Sequence, residues 1–228
     1  MSATQVPVDE GTRFLEELLA VHGVMTRGAE LVAGAFTRLA GGAAVDTKTL
    51  VTTVRWLTGL VRHHLDREDE ALHPVPKPPP PELVHGLDWP MGERDWLAGR
   101  LDDLEDVVLR IAEERRVGGS AEWGRAMRGG TLASYGIRDE LARHFGTEEP
   151  RLRDRLAAPL DENVAQLRQA VTDRLPCGAP HLVFGFLEYP APLPGRDQVY
   201  VHFSASVRLA RGMLLSRFRR TLRDLAAD

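Results

Sequence analysis

The sequence predicts an all-α protein, a four-helix up-down bundle followed by a C-terminal extension. Apolar residues recur every three or four positions through most of the first 157 residues, which is the period of an amphipathic helix. Glycine pairs and a proline-rich run separate these segments, and both residue types end helices. The pattern changes after Pro159. We therefore expect a bundle over residues 1–158 and an extension over 159–228 that packs on it.

The composition narrows the class of protein. Of the 228 residues, 43% are hydrophobic and 27% are charged, which suits a chain with a buried core and excludes wholesale disorder. A single cysteine, Cys177, excludes a cysteine-based metal cage. The net charge of −4 disfavours a nucleic-acid partner. Because no apolar run approaches about 18 residues and no signal segment is visible, we expect a soluble, cytoplasmic protein with no membrane partner.

The first two predicted helices carry clear apolar stripes. The first runs from about Asp9 to Leu39, where Gly41-Gly42 ends it. The second has Asp46 as its N-cap and ends before Pro74. The inward stripes are Leu15, Leu18, His22, Met25, Ala29, Val32 and Phe36 on the first helix, and Leu50, Val54, Leu57, Val61, His64 and Glu68 on the second. Ionisable residues thus lie within both stripes.

The next two predicted helices follow the run HPVPKPPPPE, which we interpret as an extended polyproline connector. The third helix runs from about Pro90 to about Arg116, and the fourth from about Ala121 to Leu156 with a disturbance at Gly129-Gly130. The third stripe is Arg94, Leu97, Leu101, Leu104, Val108 and Ile111, and the later part of the fourth is Ile137, Leu141, His144, Glu148 and Leu152.

The extension has a weaker pattern. A short helix is expected over 161–174. The stretch HLVFGFLEYPAPLPG has no helical spacing and predicts a short strand. A final helix is expected over 199–226, with Val207, Met213, Leu214, Phe218, Leu222 and Leu225 buried.

Two His-xxx-Glu pairs indicate chemistry inside the bundle. His64 and Glu68 are four residues apart, as are His144 and Glu148, so each pair lies on one helix face. His22 adds a third inward imidazole. Buried carboxylates without a cation are costly, and bundles assemble metals between facing helices. These five residues therefore favour a metal site over the alternative, a core of His–Glu salt bridges.

The runs VHGVMTRGAEL, HHLDREDEALHP and HFGTEEPRL resemble the motifs of the hemerythrin-like family, also called the HHE domain, over about residues 10–157. The resemblance implies a four-helix bundle of hemerythrin type that holds two irons, bridged by Glu68 and Glu148, and that binds, senses or activates dioxygen. Mixed nitrogen and oxygen ligands suit iron or manganese. His63, His73, Glu70 and Glu149 are expected to lie outside the ligand set.

The sequence departs from the family pattern on the third helix. Where the resemblance places a histidine, the chain has Arg94, which stays protonated and cannot bind a metal. His85 is the first candidate for a replacement ligand and His202 the second. Arg94 itself either neutralises Glu68 or Glu148, or binds an anionic substrate as a catalytic residue.

These expectations leave the function open between classes. The leading hypothesis is a di-iron oxidoreductase that acts on dioxygen and a small, anionic molecule, with two irons of unequal occupancy. A vacant ligand position is typical of catalytic metal sites, and the extension offers a way to close a substrate pocket. A dioxygen or redox sensor, a dioxygen carrier and a metal-poor structural or regulatory bundle are the alternatives.

Overall fold

The computed structural model describes residues 10–72, 91–113, 120–156 and 178–225, and every regular element among them is a helix. Four are long and four are short. The long helices are α1 (Glu10–Ala40), α2 (Thr47–Leu72), α3 (Met91–Glu113) and α4 (Ala121–Leu156), and the short ones are α5 (Pro180–Glu188), α6 (Arg196–Tyr200), α7 (Ala205–Leu209) and α8 (Arg211–Asp224). The all-α prediction is confirmed for the described residues. Outside these ranges lie the predicted connector, the whole of the predicted helix at 161–174, His73, His85 and Cys177.

The ends of the long helices follow the local signals in the sequence. Gly42 ends α1 with a φ of 81°, a left-handed conformation that glycine adopts readily. The Asp46 carboxylate accepts a hydrogen bond from the Thr49 amide at 2.6 Å, which is the N-cap interaction predicted for α2. Short-range chemistry therefore fixes where these helices begin and end.

The four long helices pack in a cycle, with α1 against α2 and α4, and α3 against α2 and α4. Their predicted stripes supply most of the core between them, including Met25, Val32, Phe36, Leu57 and Leu101, all at most 1% exposed. Among the stripe side chains that the structure describes, the exceptions are Leu15 and Arg94, which are half-buried near the start of α1 and α3. This arrangement turns His22, His64 and His144 into one interior region.

The expected disturbance at Gly129-Gly130 is wrong, because α4 continues through both residues. Gly130 instead serves packing. A Cβ atom at this position would lie 2.2 Å from the Phe36 ring, so only glycine lets α1 and α4 approach this closely. The cost of glycine within a helix is offset here by burial of a phenylalanine.

The predicted strand in the extension is also wrong, because the stretch beginning at Pro180 forms helix α5. Proline suits the first turn of a helix. All seven residues from His181 to Leu187 are buried, and a helix covered on every side carries no polar face to reveal its period. The absence of amphipathic spacing therefore reflected complete burial.

The single final helix predicted over 199–226 is divided into α6, α7 and α8. Ser204 accepts a hydrogen bond from the Val207 amide and starts α7. Within α8, Leu214, Phe218 and Leu222 are buried as expected, and Leu225 just after it is fully buried. Met213, in contrast, is 68% exposed, and Val207 is half-buried.

The region 178–225 is held on α1 by polar contacts. The Arg27 guanidinium donates hydrogen bonds to the backbone oxygens of Phe186, Tyr189 and Ala191 at 2.7–2.9 Å, which satisfies carbonyls at the end of α5. Behind it, Glu188 contacts Tyr200, Arg196 and Arg211. These contacts place the segment after α5 directly over the middle of α1.

The helices described here include none that is both long enough and apolar enough to cross a membrane.

Candidate metal centre

Four predicted ligand residues come together inside the long helices. His22 on α1 is 1% exposed, His64 on α2 is 4%, and His144 and Glu148 on α4 are 7% and 5%. Each lies in the apolar stripe of its helix, so the packing of the stripes also brings the four side chains to one level. The interior of this region therefore has a polar centre enclosed by apolar side chains.

Glu148 lies between two of the histidines. Its Oε2 atom is 3.3 Å from Nε2 of His144, one turn earlier on α4, and 3.7 Å from Nε2 of His22 on α1. The rings of His22 and His64 are 5.1 Å apart and nearly perpendicular. One carboxylate oxygen and three imidazoles thus converge from three helices.

Phe145 holds these rings in position. It stacks on His22 with a centroid distance of 3.9 Å and an interplanar angle of 7°. Its ring also meets His64 and His144 edge-on, at 5.9 Å and 5.7 Å. Because aromatic packing restricts ring rotation, Phe145 fixes the direction of three candidate ligands at once. Phe145 was not among the residues predicted from the sequence, where its only signal is its position next to His144.

Glu149 determines the proton position on His22. The Nδ1 atom of His22 lies 3.3 Å from Glu149 Oε1, and a carboxylate only accepts, so Nδ1 is the donor. The lone pair of neutral His22 is then on Nε2, which faces Glu148. Burial lowers the pKa of His22, while the hydrogen bond to Glu149 opposes this shift. Metal-binding histidines commonly have such a carboxylate partner behind them.

Glu149 was expected to lie outside the ligand set, and the structure adds that it contacts His22. The neighbouring acidic residues Glu148 and Glu149 look equivalent in the sequence. The packing of α4 against α1 places Glu148 on the Nε2 side of His22 and Glu149 on the Nδ1 side.

Two hydrogen-bond acceptors, Nε2 of His22 and Oε2 of Glu148, therefore face each other in the protein interior. Within the described part of the chain, neither Nε2 of His22 nor Oε2 of Glu148 makes a hydrogen bond. A buried carboxylate oxygen and an imidazole lone pair that share a space leave room for a cation or a proton between them. The donor set of nitrogen and oxygen atoms fits a first-row transition metal.

The described side chains do not by themselves form a closed metal site. Across residues 10–72, 91–113, 120–156 and 178–225, no group of three or more His, Cys, Asp or Glu residues has the geometry to hold an ion. The 3.7 Å between His22 and Glu148 exceeds the roughly 3 Å between two ligands at right angles on one ion. Glu68 lies on α2, but its side chain is outside the described set, as is His85.

Arg94 occupies a half-buried position on α3 beside the second helix. Its Nη2 atom lies 3.7 Å from Asp66 Oδ1 and 3.5 Å from the Leu65 backbone oxygen, adjacent to His64. The predicted contact with Glu68 or Glu148 remains a prediction. The guanidinium nevertheless brings a positive charge to the edge of the histidine cluster.

His202, the second candidate for a replacement ligand, is engaged elsewhere. Its Nε2 atom lies 2.5 Å from Oε1 of Glu17, which is 2% exposed on α1. This pair ties the segment after α6 to α1 at a point five residues before His22.

A cavity of about 400 Å³ adjoins the histidine cluster on the Glu149 side. Its wall combines residues of α1 and α4 with Pro194 from the segment after α5, and it carries Arg27, Glu30 and Arg153. Leu193 packs so closely on α1 that a Cβ at Gly23 would lie 2.8 Å from it. The C-terminal region thus forms part of the wall of this cavity, and Glu149, which also lines the cavity, contacts His22.

Comparisons of the chain with models of known protein families, with curated proteins and with solved structures gave no match.

Proposed function

We propose that this chain is a hemerythrin-like protein whose four long helices form an up-down bundle around a non-haem di-iron centre, and that it binds or activates dioxygen. The observation that carries the proposal is the pair of facing acceptors, His22 Nε2 and Glu148 Oε2, buried 3.7 Å apart without a hydrogen bond in the described residues. A cation between them would stabilise both groups. Bound reduced iron supplies electrons and open coordination positions for dioxygen.

The ligand set follows from the convergence of the side chains. His22 and His64 would hold one ion and His144 the other, with Glu148 between them because its Oε2 atom lies near both His22 and His144. Glu68, one turn after His64, would supply a second carboxylate in this proposal. Manganese is an alternative metal for the same donors.

Glu149 and Phe145 act as positioning residues. Glu149 keeps the His22 proton on Nδ1, so that Nε2 is free to bind a metal, and such outer partners raise ligand basicity. Phe145 packs against all three histidine rings and keeps water away from the centre. Both roles rest on contacts that do not involve Arg94.

The neighbouring cavity favours an oxidase or oxygenase over a carrier or sensor. A gas needs little space, whereas about 400 Å³ lies within the range of small-molecule sites. Its wall carries Arg27 and Arg153 against Glu30 and Glu149, so it offers polar contacts to a small molecule without a surplus of positive charge. A metal-poor structural or regulatory bundle is the competing proposal, supported by Arg94 at the position where the resemblance places a histidine ligand.

Metal content separates these proposals. After expression in iron-rich medium, we expect iron bound to the purified chain and a visible charge-transfer band in air. His22→Ala should remove most of the iron, whereas the matched variant His63→Ala should retain it, because His63 lies outside the cluster. Circular dichroism would verify that both variants fold. A colourless wild-type chain without metal, whose melting temperature is unchanged by iron, would contradict the di-iron proposal and favour the structural one.

A further inference from the structure

A second cavity, of about 820 Å³, lies between the start of α2 and helix α8. The first turns of α2 form one wall and α8 forms the other, while His181 and Leu182 at the start of α5 also line it. Its volume is within the range of pockets that bind small molecules. From Thr53 to His64 along α2 the distance is about 16 Å, so this cavity is separate from the histidine cluster.

The charges in this cavity are predominantly positive. Four cations line it, Lys48, Arg217, Arg220 and Arg223, against two carboxylates, those of Asp46 and Asp224, which leaves a net charge of +2. Arg220 lies 3.8 Å from Asp224. The other three cations make no ion pair within the described residues. Such a surplus of unpaired cations on a concave surface attracts anions.

His181 provides an independent indication of a ligand. The residue is only 6% exposed, and its Nδ1 atom is buried with no hydrogen-bond partner among the described residues. Burial and, to a smaller extent, the positive charge of Arg217 together lower the pKa of His181 to about 4. At neutral pH the imidazole is therefore uncharged and retains both a donor and an acceptor nitrogen. Buried polar atoms of this kind usually have a partner.

We propose that this cavity binds a phosphate-bearing small molecule. A phosphate group carries a charge of about −1.5 to −2 at neutral pH, which matches the surplus of +2 on the cavity wall. The guanidinium groups of Arg217 and Arg220 offer forked donors that suit phosphate oxygens. His181 contributes a hydrogen bond from the base of the cavity, and the Thr52 and Ser216 hydroxyls on opposite walls complete a polar lining.

The test is calorimetric titration of the full chain with inorganic phosphate and with glycerol 3-phosphate, at pH 7.5 and at ionic strength held constant with chloride. We expect saturable binding of at least one probe. Tighter binding of glycerol 3-phosphate would identify an ester as the ligand class, and equal or tighter binding of inorganic phosphate would identify the free anion.

Paired variants locate the binding. The double variant Arg217→Gln/Arg220→Gln should weaken binding at least about tenfold, because two charge-assisted contacts are lost. The control Arg219→Gln removes an exposed charge on the same helix that does not line the cavity and should bind like the wild type. The ¹⁵N resonances of the His181 imidazole should shift when phosphate is added to the wild type.

Three results would overturn the proposal. One is the absence of saturable binding beyond the chloride control. Another is an equal loss in the double variant and in Arg219→Gln, which would indicate general charge attraction. The third is binding that survives the double variant and leaves His181 unchanged, which would place the phosphate elsewhere, for example at bound iron.

Discussion

His22 and His181 are both buried imidazoles, but their surroundings carry opposite charge. Glu148 and Glu149 flank His22 at 3.7 Å and 3.3 Å, whereas the cavity that His181 lines carries four cations against two carboxylates. Burial lowers the pKa of both rings. The carboxylates oppose that shift at His22, while Arg217 adds to it at His181. A buried histidine thus lies beside negative charge, which favours a cation, in one region, and beside positive charge, which favours an anion, in the other.

The two regions also differ in how they are built. The side chains of the His22 cluster come from three of the four long helices, whose stripes pack face to face. The His181 cavity depends on α5 and α8, a short buried helix and an amphipathic one. Phe218 of α8 lies directly against Gly185 of α5 and meets the Phe186 ring edge-on at 4.9 Å, so these contacts support the cavity. We therefore expect the two regions to respond differently to the same kind of substitution.

The largest effect is expected from Gly185→Ala. The added Cβ would lie 2.0 Å from Cγ of Phe218, which is 1% exposed, so α8 must shift, at a cost of about 3 kcal/mol. The shift of α8 should also weaken phosphate binding in the cavity that this helix lines. The control Gly146→Ala, exposed within α4 with no atom within 4 Å of the new Cβ, should stabilise the chain by about 0.5–1 kcal/mol. Urea unfolding measures both changes, and equal stability of the two variants would show that α5 and α8 do not pack as described.

Acid should destabilise the chain through His181. Its folded pKa of about 4 lies below the unfolded value of about 6.5, so the unfolded chain binds more protons between these values. The contribution of His181 to the free energy of unfolding is therefore fully present above about pH 6.5. It is lost as the pH falls towards 4, which lowers stability by about 1–3 kcal/mol. His181→Gln should lose this component, seen as a smaller difference in unfolding free energy between pH 7.0 and 4.5. His22 titrates in both proteins, so parallel pH curves for the two would contradict the assignment to His181.

Glu149→Gln tests the corresponding carboxylate in the other region. Loss of the charge behind His22 Nδ1 should weaken iron binding by about 10–100-fold, the usual effect of removing an outer partner of a ligand histidine. Asp154→Asn, an exposed change one turn later on α4, is the control and should leave affinity unchanged. Competition titration with a chelator measures both, and an unaltered affinity in Glu149→Gln would remove Glu149 from the site.

The smallest effect is expected from Arg94→His, which supplies the ligand that the resemblance places on α3. The weaker of two iron sites should become tighter by about tenfold, because imidazole binds iron and guanidinium does not. Arg100→His, on another face of α3, should have no such effect. Two equally tight sites in the wild type, with no gain in Arg94→His, would mean that another residue completes the site, and His85 is the first candidate.

Local sequence signals were enough to predict the four long helices and the inward positions of His22, His64 and His144. Helical periodicity, caps and glycine pairs are local signals, and each stripe reports which face of its own helix is buried. The boundaries of α2 and α4 follow directly from Asp46 and from the residues around Ala121. These features were predictable because they require no knowledge of the partner helix.

The contacts that each of those residues makes depend on how the helices pack and could not be predicted from the sequence. Phe36 explains Gly130, burial on all sides explains why α5 carried no helical period, and the approach of α4 to α1 separates the roles of Glu148 and Glu149. The His181 cavity joins residues more than 120 positions apart. Contacts of this kind arise from packing between elements, and side-chain spacing within one element holds no information about the element on its other side.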